Sequence, residues 1–282
     1  MLNRCLLIVS DLHCGSIFGM LPPNLKTGEG VVKLQNPVQR YLWECWQHYL
    51  ETIRGIAPQV AAVVLNGDLL DGMQQAQRGT ELSLPIPADQ VWAAEAVLKP
   101  LQGILPSVPW YSVQGTEYHD GRVGMQVEQV SRTLGCLEYG TILNGTGTYC
   151  REFLDLEIDG VTFNVMHEIS PSTGFYRATA LDREAQWSAI TAKEGRVPKA
   201  DCVIRSHVHC FTHVEHSTKH AVSTPCWQAQ TRFMRRKSRY RMLPDIGGII
   251  VWFEGELKKR GEDPIVVRKV LYPLPGVEAT KL

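Results

Sequence analysis

Residues 5–13 read Cys5-Leu6-Leu7-Ile8-Val9-Ser10-Asp11-Leu12-His13, and this stretch decides the fold. Five apolar, mostly branched residues without alternation suit a strand covered on both faces, as in a parallel sheet packed between other layers. The run stops at a carboxylate and an imidazole two residues apart. Working outward, Val60-Ala61-Ala62-Val63-Val64-Leu65 is a second such run and stops at Gly67-Asp68. A third, over 108–113, stops at Gly115, and Cys202-Val203-Ile204-Arg205-Ser206 stops at His207. Between the first three, apolar residues at helical spacing predict helices over 38–56 and 89–102. Strand, helix and strand in alternation argue for βαβ units and a largely parallel sheet.

Past residue 120 the texture changes. The spacing predicts a helix over 123–134, strands over 149–158 and 161–166 around the turn Asp159-Gly160, and a helix over 177–193. A second hairpin is expected over 212–222, with final strands over 248–253 and 265–271. The fold class read from this order is α/β, with two central mixed β-sheets flanked by helices. It is expected to form a single domain over 1–282, whose C-terminal strands, from about 245, complete the second sheet.

The 282 residues are 44% hydrophobic and 21% charged, which excludes disordered and fibrous classes. Twenty-nine Lys and Arg cancel twenty-nine Asp and Glu, so any attraction to a polyanion must be local. No apolar run approaches the roughly 18 residues of a membrane span, and residues 5–9 are shorter than the apolar core of a signal peptide. A soluble, unexported, cytoplasmic protein with no membrane partner is expected. The eight cysteines include no C-x-x-C pair and fit reduced, buried thiols. Cys14 and Cys210 each follow a histidine and are read as packing residues.

Ligand crevices in open α/β sheets lie at the carboxyl ends of strands. The residues there are Asp11 and His13, Asp68, Thr116 through His119, His167, His207 and His209. Of nine histidines, only His48, His213, His216 and His220 fall outside this set. In Asp11-x-His13 and His207-x-His209, an i, i+2 spacing on extended backbone would put both side chains on one face. Asp68 has two oxygens and can bridge two cations. Oxygen and nitrogen ligation without thiolate suits Mn²⁺, Fe or Zn²⁺. Two such ions ~3.5–4 Å apart clamp a phosphoryl group and activate a water, so the set implies hydrolysis of a phosphate ester.

The motif order resembles the calcineurin-like metallophosphoesterases, whose pattern is D-x-H, G-D-x-x-D, G-N-H-[DE], a lone H, and G-H-x-H. Here these stand as Asp11-Leu12-His13, Gly67-Asp68-Leu69-Leu70-Asp71, Gly115-Thr116-Glu117-Tyr118-His119, Met166-His167-Glu168 and Ser206-His207-Val208-His209. The resemblance runs from residue 11 to residue 209. It implies a four-layer αββα sandwich and two divalent ions, one held by Asp11, His13 and His209, the other by His167 and His207, with Asp68 bridging. It also implies that His119 is the acid that protonates the leaving oxygen. The chain departs from the pattern at Thr116, where the family has an Asn ligand, and in the two residues inserted before His119. Water or Glu117 is an alternative ligand there. Asp71 is read as a brace for the turn after Asp68.

Protein phosphatases of the family carry an Arg after their second Asp block and an unbroken G-N-H-E, and this chain has neither. A phosphodiesterase is favoured, since Gly67 to Asp71 is similar to the block of the family's break-repair nucleases and the broken third block resembles phage and prophage members. One local charge concentration, Arg232 to Arg241, interleaves Arg and Lys with Phe233 and Tyr240. That mixture suits phosphate positioning and base stacking, which makes a nucleotide or nucleic acid the expected substrate; a solvated surface face is the plainer reading. The alternative function is a non-catalytic nucleic-acid-binding or scaffold protein with a degenerate metal site. Loops 18–35, 74–87 and 171–176 carry no readable specificity code, and oligomeric state has no signature in the chain.

Overall fold

In the computed structural model, which describes residues 3–141, 147–169, 176–217, 219–238 and 243–274, the opening run becomes strand β1 (Arg4–Val9). Helix α1 (Pro37–Ile56) follows, then β2 (Val60–Asn66), α2 (Pro87–Ile104), β3 (Trp110–Val113), α3 (Glu117–Asp120) and α4 (Met125–Thr133). The chain continues through β4 (Cys150–Arg151), β5 (Phe153–Ile158), β6 (Val161–Met166), α5 (Arg177–Lys193), β7 (Cys202–Arg205), β8 (Thr212–His216) and β9 (Lys219–Ser223). It ends with α6 (Arg232–Ser238), β10 (Ile246–Phe253), α7 (Gly255–Lys259) and β11 (Ile265–Tyr272).

Helix α1 shows how sequence sets a boundary. The Asn36 side chain accepts from the Gln39 amide at 2.9 Å while Gln39 accepts from the Asn36 amide at 3.1 Å, and Pro37 fills the first helical position. This reciprocal cap satisfies two otherwise orphaned donors. Leu42, Trp46, Tyr49 and Ile53 then fall on one face and are buried.

Two mixed sheets form the centre. The first has the order β11-β10-β1-β2-β3-β4, with β1 to β4 parallel and β10 antiparallel to both neighbours. The second has the order β8-β9-β7-β6-β5. Odd-numbered residues of β1 (Cys5, Leu7, Val9) pack under α1 and α2, while Leu6 and Ile8 face Phe163, Val165 and Ile204 of the second sheet. On that sheet's far side Val203 and Ala221 pack against Leu181 and Ala185 of α5. The layers are therefore helix, sheet, sheet, helix, the α/β arrangement expected of two sheets each covered on both faces. Because both faces of β1 and β2 are dry, the strands read as unbroken apolar runs.

Two expectations need correction. The strand over 149–158 is two strands in different sheets: β4 pairs with β3, and after Glu152 the chain crosses to pair β5 with β6. The Arg151 guanidinium lies over the Tyr111 and Tyr139 rings at 5.6 and 4.4 Å, holding the first segment in the first sheet. The C-terminal strands extend the first sheet, not the second, for β10 pairs with β1 from Arg4↔Phe253 to Ile8↔Ile249. Ile249, Ile250, Val251 and Phe253 are apolar on both faces, which suits an inner strand between two covered layers. The described part of the basic segment forms α6; Arg239, Tyr240 and Arg241 lie outside the described residues, as do 170–175 and 275–282. Among the described residues, no helix is long and apolar enough to cross a membrane.

Candidate metal centre and active site

Asp11, His13, Asp68, His207 and His209 all have positive φ, between 46° and 70°, and among the described residues only four other non-glycine positions do. The backbone at these strand ends is left-handed, not extended. The sequence argument for a shared face is thus right for Asp11 and His13 but for the wrong reason, and it fails for His207 and His209, which turn into different groups. Left-handed backbone costs on the order of 1–2 kcal/mol per residue, and Asp and His tolerate it better than branched residues. Five such positions at the ends of β1, β2 and β7 are held by the surrounding structure, as the Asp11 amide bonds to Gly67 O at 3.0 Å and the His13 amide to Asp68 O at 3.1 Å. Strain concentrated this way marks a functional site.

The side chains gather in two groups. In the first, His209 Nε2 lies 3.2 Å from Asp11 Oδ1 and 3.1 Å from His13 Nε2, and His13 Nε2 is 4.0 Å from Asp11 Oδ1. In the second, Asp68 Oδ2 lies 3.0 Å from His167 Nε2 and 3.7 Å from His207 Nδ1. All except His207 are buried. Burial works against both charges of the Asp68–His167 pair, yet Asp68 holds the His167 imidazole up to about 10, and His167 and His207 hold Asp68 well below the usual carboxylate range. Burial likewise acts to raise Asp11, but the adjacent His209 and His167 imidazoles outweigh it and hold it down.

These residues fit divalent cations. Both oxygens of Asp11, Asp68 Oδ2 and His167 Nε2 are buried with no hydrogen-bond partner. A buried carboxylate without donors is costly unless a cation balances it. Two imidazole Nε2 atoms 3.1 Å apart beside a carboxylate have the chemistry of a ligand set. Tautomers are fixed from behind: His13 Nδ1 donates to Asp71 Oδ1 at 3.1 Å and His167 Nδ1 to Asn66 O at 2.7 Å, which leaves each Nε2 turned to its group. Cys14 and Cys210 are buried and belong to neither group.

Two positions settle what surrounds Asp68. The Thr116 amide and hydroxyl both donate to Asp68 Oδ1, at 2.8 and 3.0 Å. Thr116 therefore orients the carboxylate, and Glu117 turns to a separate depression with Arg122 and Gln126. Asp120, which the motif reading passed over, accepts from the amides of Asp68, Leu69 and Gly115 at 2.9, 3.1 and 2.7 Å. Burial and the Asp68 charge push its carboxyl up to about 7. Its signal was its place, directly after His119. Gly115 has no room for a side chain, since a Cβ would lie 2.2 Å from the Asp68 amide nitrogen.

The groups open into a cleft of about 390 Å³. His119 is on its wall, 4.5 Å from His13 ring to ring, with Nδ1 3.0 Å from Asp71 O and 3.7 Å from Asp71 Oδ1. Asp71 thus braces both His13 and His119, and Gln228 donates to it at 3.2 Å. Tyr118, Phe233 and Met234 also line the cleft. Helix α6 runs beside it, with the Arg235 guanidinium 5.7 Å from the Phe18 ring and Arg232 Nε 3.7 Å from Glu81.

No protein-family model matches the sequence, and no curated protein matches it. Solved structures similar to it include an archaeal phosphodiesterase, at 10% identity over 95% of this chain and 100% of that one, with a TM-score of 0.44. Zn²⁺-bound Vps29 of Entamoeba histolytica is 13% identical over 95% of this chain and 99% of that one, with a TM-score of 0.40. A conserved protein of Streptococcus pneumoniae described as a predicted phosphoesterase is 9% identical over 96% and 99%, with a TM-score of 0.37. At such scores residue roles rest on this chain's own geometry.

Proposed function

We propose that the protein is a metal-dependent phosphoesterase, of the calcineurin-like kind its motif order resembles, and that it cleaves a phosphodiester in a nucleotide or nucleic acid. One observation carries the reading: Asp11, His13 and His209, and Asp68, His167 and His207, form two groups of facing ligand atoms beside a cleft that holds His119. The first group would hold one ion and the second the other, with Asp68 shared. Mn²⁺, Fe and Zn²⁺ all suit the donors. When bound, such ions supply Lewis acidity and lower the pKa of a water.

The chain's own residues supply the rest. His119 gives Nδ1–H to the Asp71 carbonyl, which leaves Nε2 as the nitrogen that can pass a proton to a leaving oxygen. Tyr118 and Phe233, 38% and 51% exposed, line the cleft and are the aromatic side chains there on which a base would stack. Arg232 and Arg235 stand nearby as candidates for further phosphate contacts.

The test is hydrolysis of bis(p-nitrophenyl) phosphate and of p-nitrophenyl phosphate with added Mn²⁺ and then with chelator. Turnover of the diester that chelator abolishes is expected; no metal-dependent turnover of either ester would refute the reading. His119→Asn should slow release of alkoxide leaving groups by about 10²-fold while barely affecting p-nitrophenolate, which needs no proton. A second reading, a non-catalytic scaffold or nucleic-acid-binding protein, draws on the commitment of Thr116 to Asp68, which leaves the second group three side-chain ligands. It calls for salt-sensitive binding of single strands without turnover.

A further inference from the structure

Four histidines lie outside the site described above, and two of them meet. On the antiparallel pair β8–β9, Glu215 stands opposite His220 and His213 opposite Val222, so His213, Glu215 and His220 share one face. That face is the inter-sheet one: Val222 joins Cys202 and Ile204 in the core between the sheets, whereas Ala221 and Val214 pack toward α5. Two imidazoles thus occupy positions where the alternation of the strands calls for apolar side chains, and His220 is only 2% exposed. The cluster is also far from the first centre along the sheet. His220 is level with Cys202, the first residue of β7, while His207 and His209 follow that strand's last residue.

The polar atoms are arranged in sequence. Asp263, in the loop leading into β11 of the first sheet, places its two oxygens 2.9 and 3.0 Å from His220 Nε2. That nitrogen carries the proton, so in the neutral ring Nδ1 is a lone pair, and it lies 2.9 Å from His213 Nε2. A carboxylate behind one ring nitrogen with the other turned to a shared point is how a ligating histidine is oriented. The Glu215 carboxylate completes a set whose ligand atoms lie within 4.8 Å of one another, and it is exposed, which gives an ion a way in. Burial and the adjacent His220 hold His213 below its ordinary value, favouring the neutral ligating form.

We infer that His213, Glu215 and His220 form a separate binding site for a divalent transition metal of the zinc type, with Asp263 as the positioning residue for His220. Two imidazoles and one carboxylate select Zn²⁺ over Mg²⁺ or Ca²⁺, and a fourth position open to solvent is left for water. The ion replaces the single proton shared between the two rings. Because Asp263 leads into β11 of the first sheet and His220 lies in the second, the site ties the two together at the end opposite the cleft.

The test uses the full chain with the first centre disabled by Asp11→Asn, Asp68→Asn and His209→Asn, titrated with Zn²⁺ against a chromophoric chelator. One equivalent of bound Zn²⁺ is expected. His213→Gln and Glu215→Gln, at half-buried and exposed positions, should each weaken it at least tenfold, and Asp263→Asn by about 10–100-fold. In the otherwise native protein, Mn²⁺-dependent ester hydrolysis should be unchanged by His213→Gln. Absence of Zn²⁺ binding in the disabled background would overturn the inference, and so would an equivalent that survives both His213→Gln and Glu215→Gln.

Discussion

At the scale of single residues, the site is a contest between burial and charge. Burial alone would lower the pKa of His167, but the Asp68 carboxylate 3.0 Å away raises it to about 10. The folded value lies above the unfolded one, so this group's contribution to the metal-free fold is complete below about pH 6.5 and is lost as pH climbs through about 10. Asp68 is shifted the other way, and its contribution is present above its ordinary range and lost in acid. A cation at His167 must displace that proton, because neutral imidazole is the ligating form. Apparent metal affinity should therefore climb with pH, by about tenfold per unit while His167 remains protonated. Binding at pH 7.5 should also release a proton, measurable by calorimetry in buffers of different ionisation enthalpy. A proton count of zero would show that the Asp68–His167 ion pair is not what the metal replaces. All six ligand candidates were legible in the chain because each ends an apolar run. Asp120 was not, since its role is to receive amides of the loop after β2, and its place directly after His119 carries no sign of those tertiary partners.

At the scale of elements, the loops after β2 and β3 form one unit, joined by the Asp120 carboxylate and the Thr116 bonds to Asp68. Asp120→Ala would leave the buried amides of Asp68, Leu69 and Gly115 without acceptors. A loss of roughly 2–3 kcal/mol is expected, read as a lower urea midpoint at unchanged slope, together with weaker metal binding as Asp68 loses its aim. An unchanged midpoint would mean that water takes over those amides. Strands β1, β2, β6 and β7 and helices α1, α2 and α5 could be placed from sequence to within a few residues, because continuous apolar runs and helical spacing carry that signal. The division of 149–158 between two sheets could not. A sheet change at Glu152 leaves the local pattern of strand residues intact and is decided by tertiary neighbours, here the rings flanking Arg151. Left-handed backbone at Asp11 and His13 was equally hidden, for it depends on the hydrogen bonds that their amides make to Gly67 and Asp68 in the loop after β2.

At the scale of the whole molecule, the candidate ligands come from both halves of the sandwich. Asp11, His13 and Asp68 follow strands of the first sheet, whereas His167, His207 and His209 follow strands of the second. In each group at least one ligand comes from each sheet, so cations there act across the interface between layers that also meet through apolar contacts such as Leu6, Ile8, Phe163 and Phe253. An ion that binds the folded protein alone stabilises it by about 2.7 kcal/mol at a hundredfold excess over its Kd. For a chain of this size that corresponds to a rise in Tm of roughly 5 °C between chelator and saturating Mn²⁺. Asp11→Asn with Asp68→Asn should abolish the shift and, by leaving His167 and His209 without their carboxylate neighbours, lower the Tm measured in chelator. The chelator baseline and the metal-induced shift are read separately in one melting series. If the double variant still gained the full shift with Mn²⁺, the carboxylates would be structural and the metal would bind elsewhere.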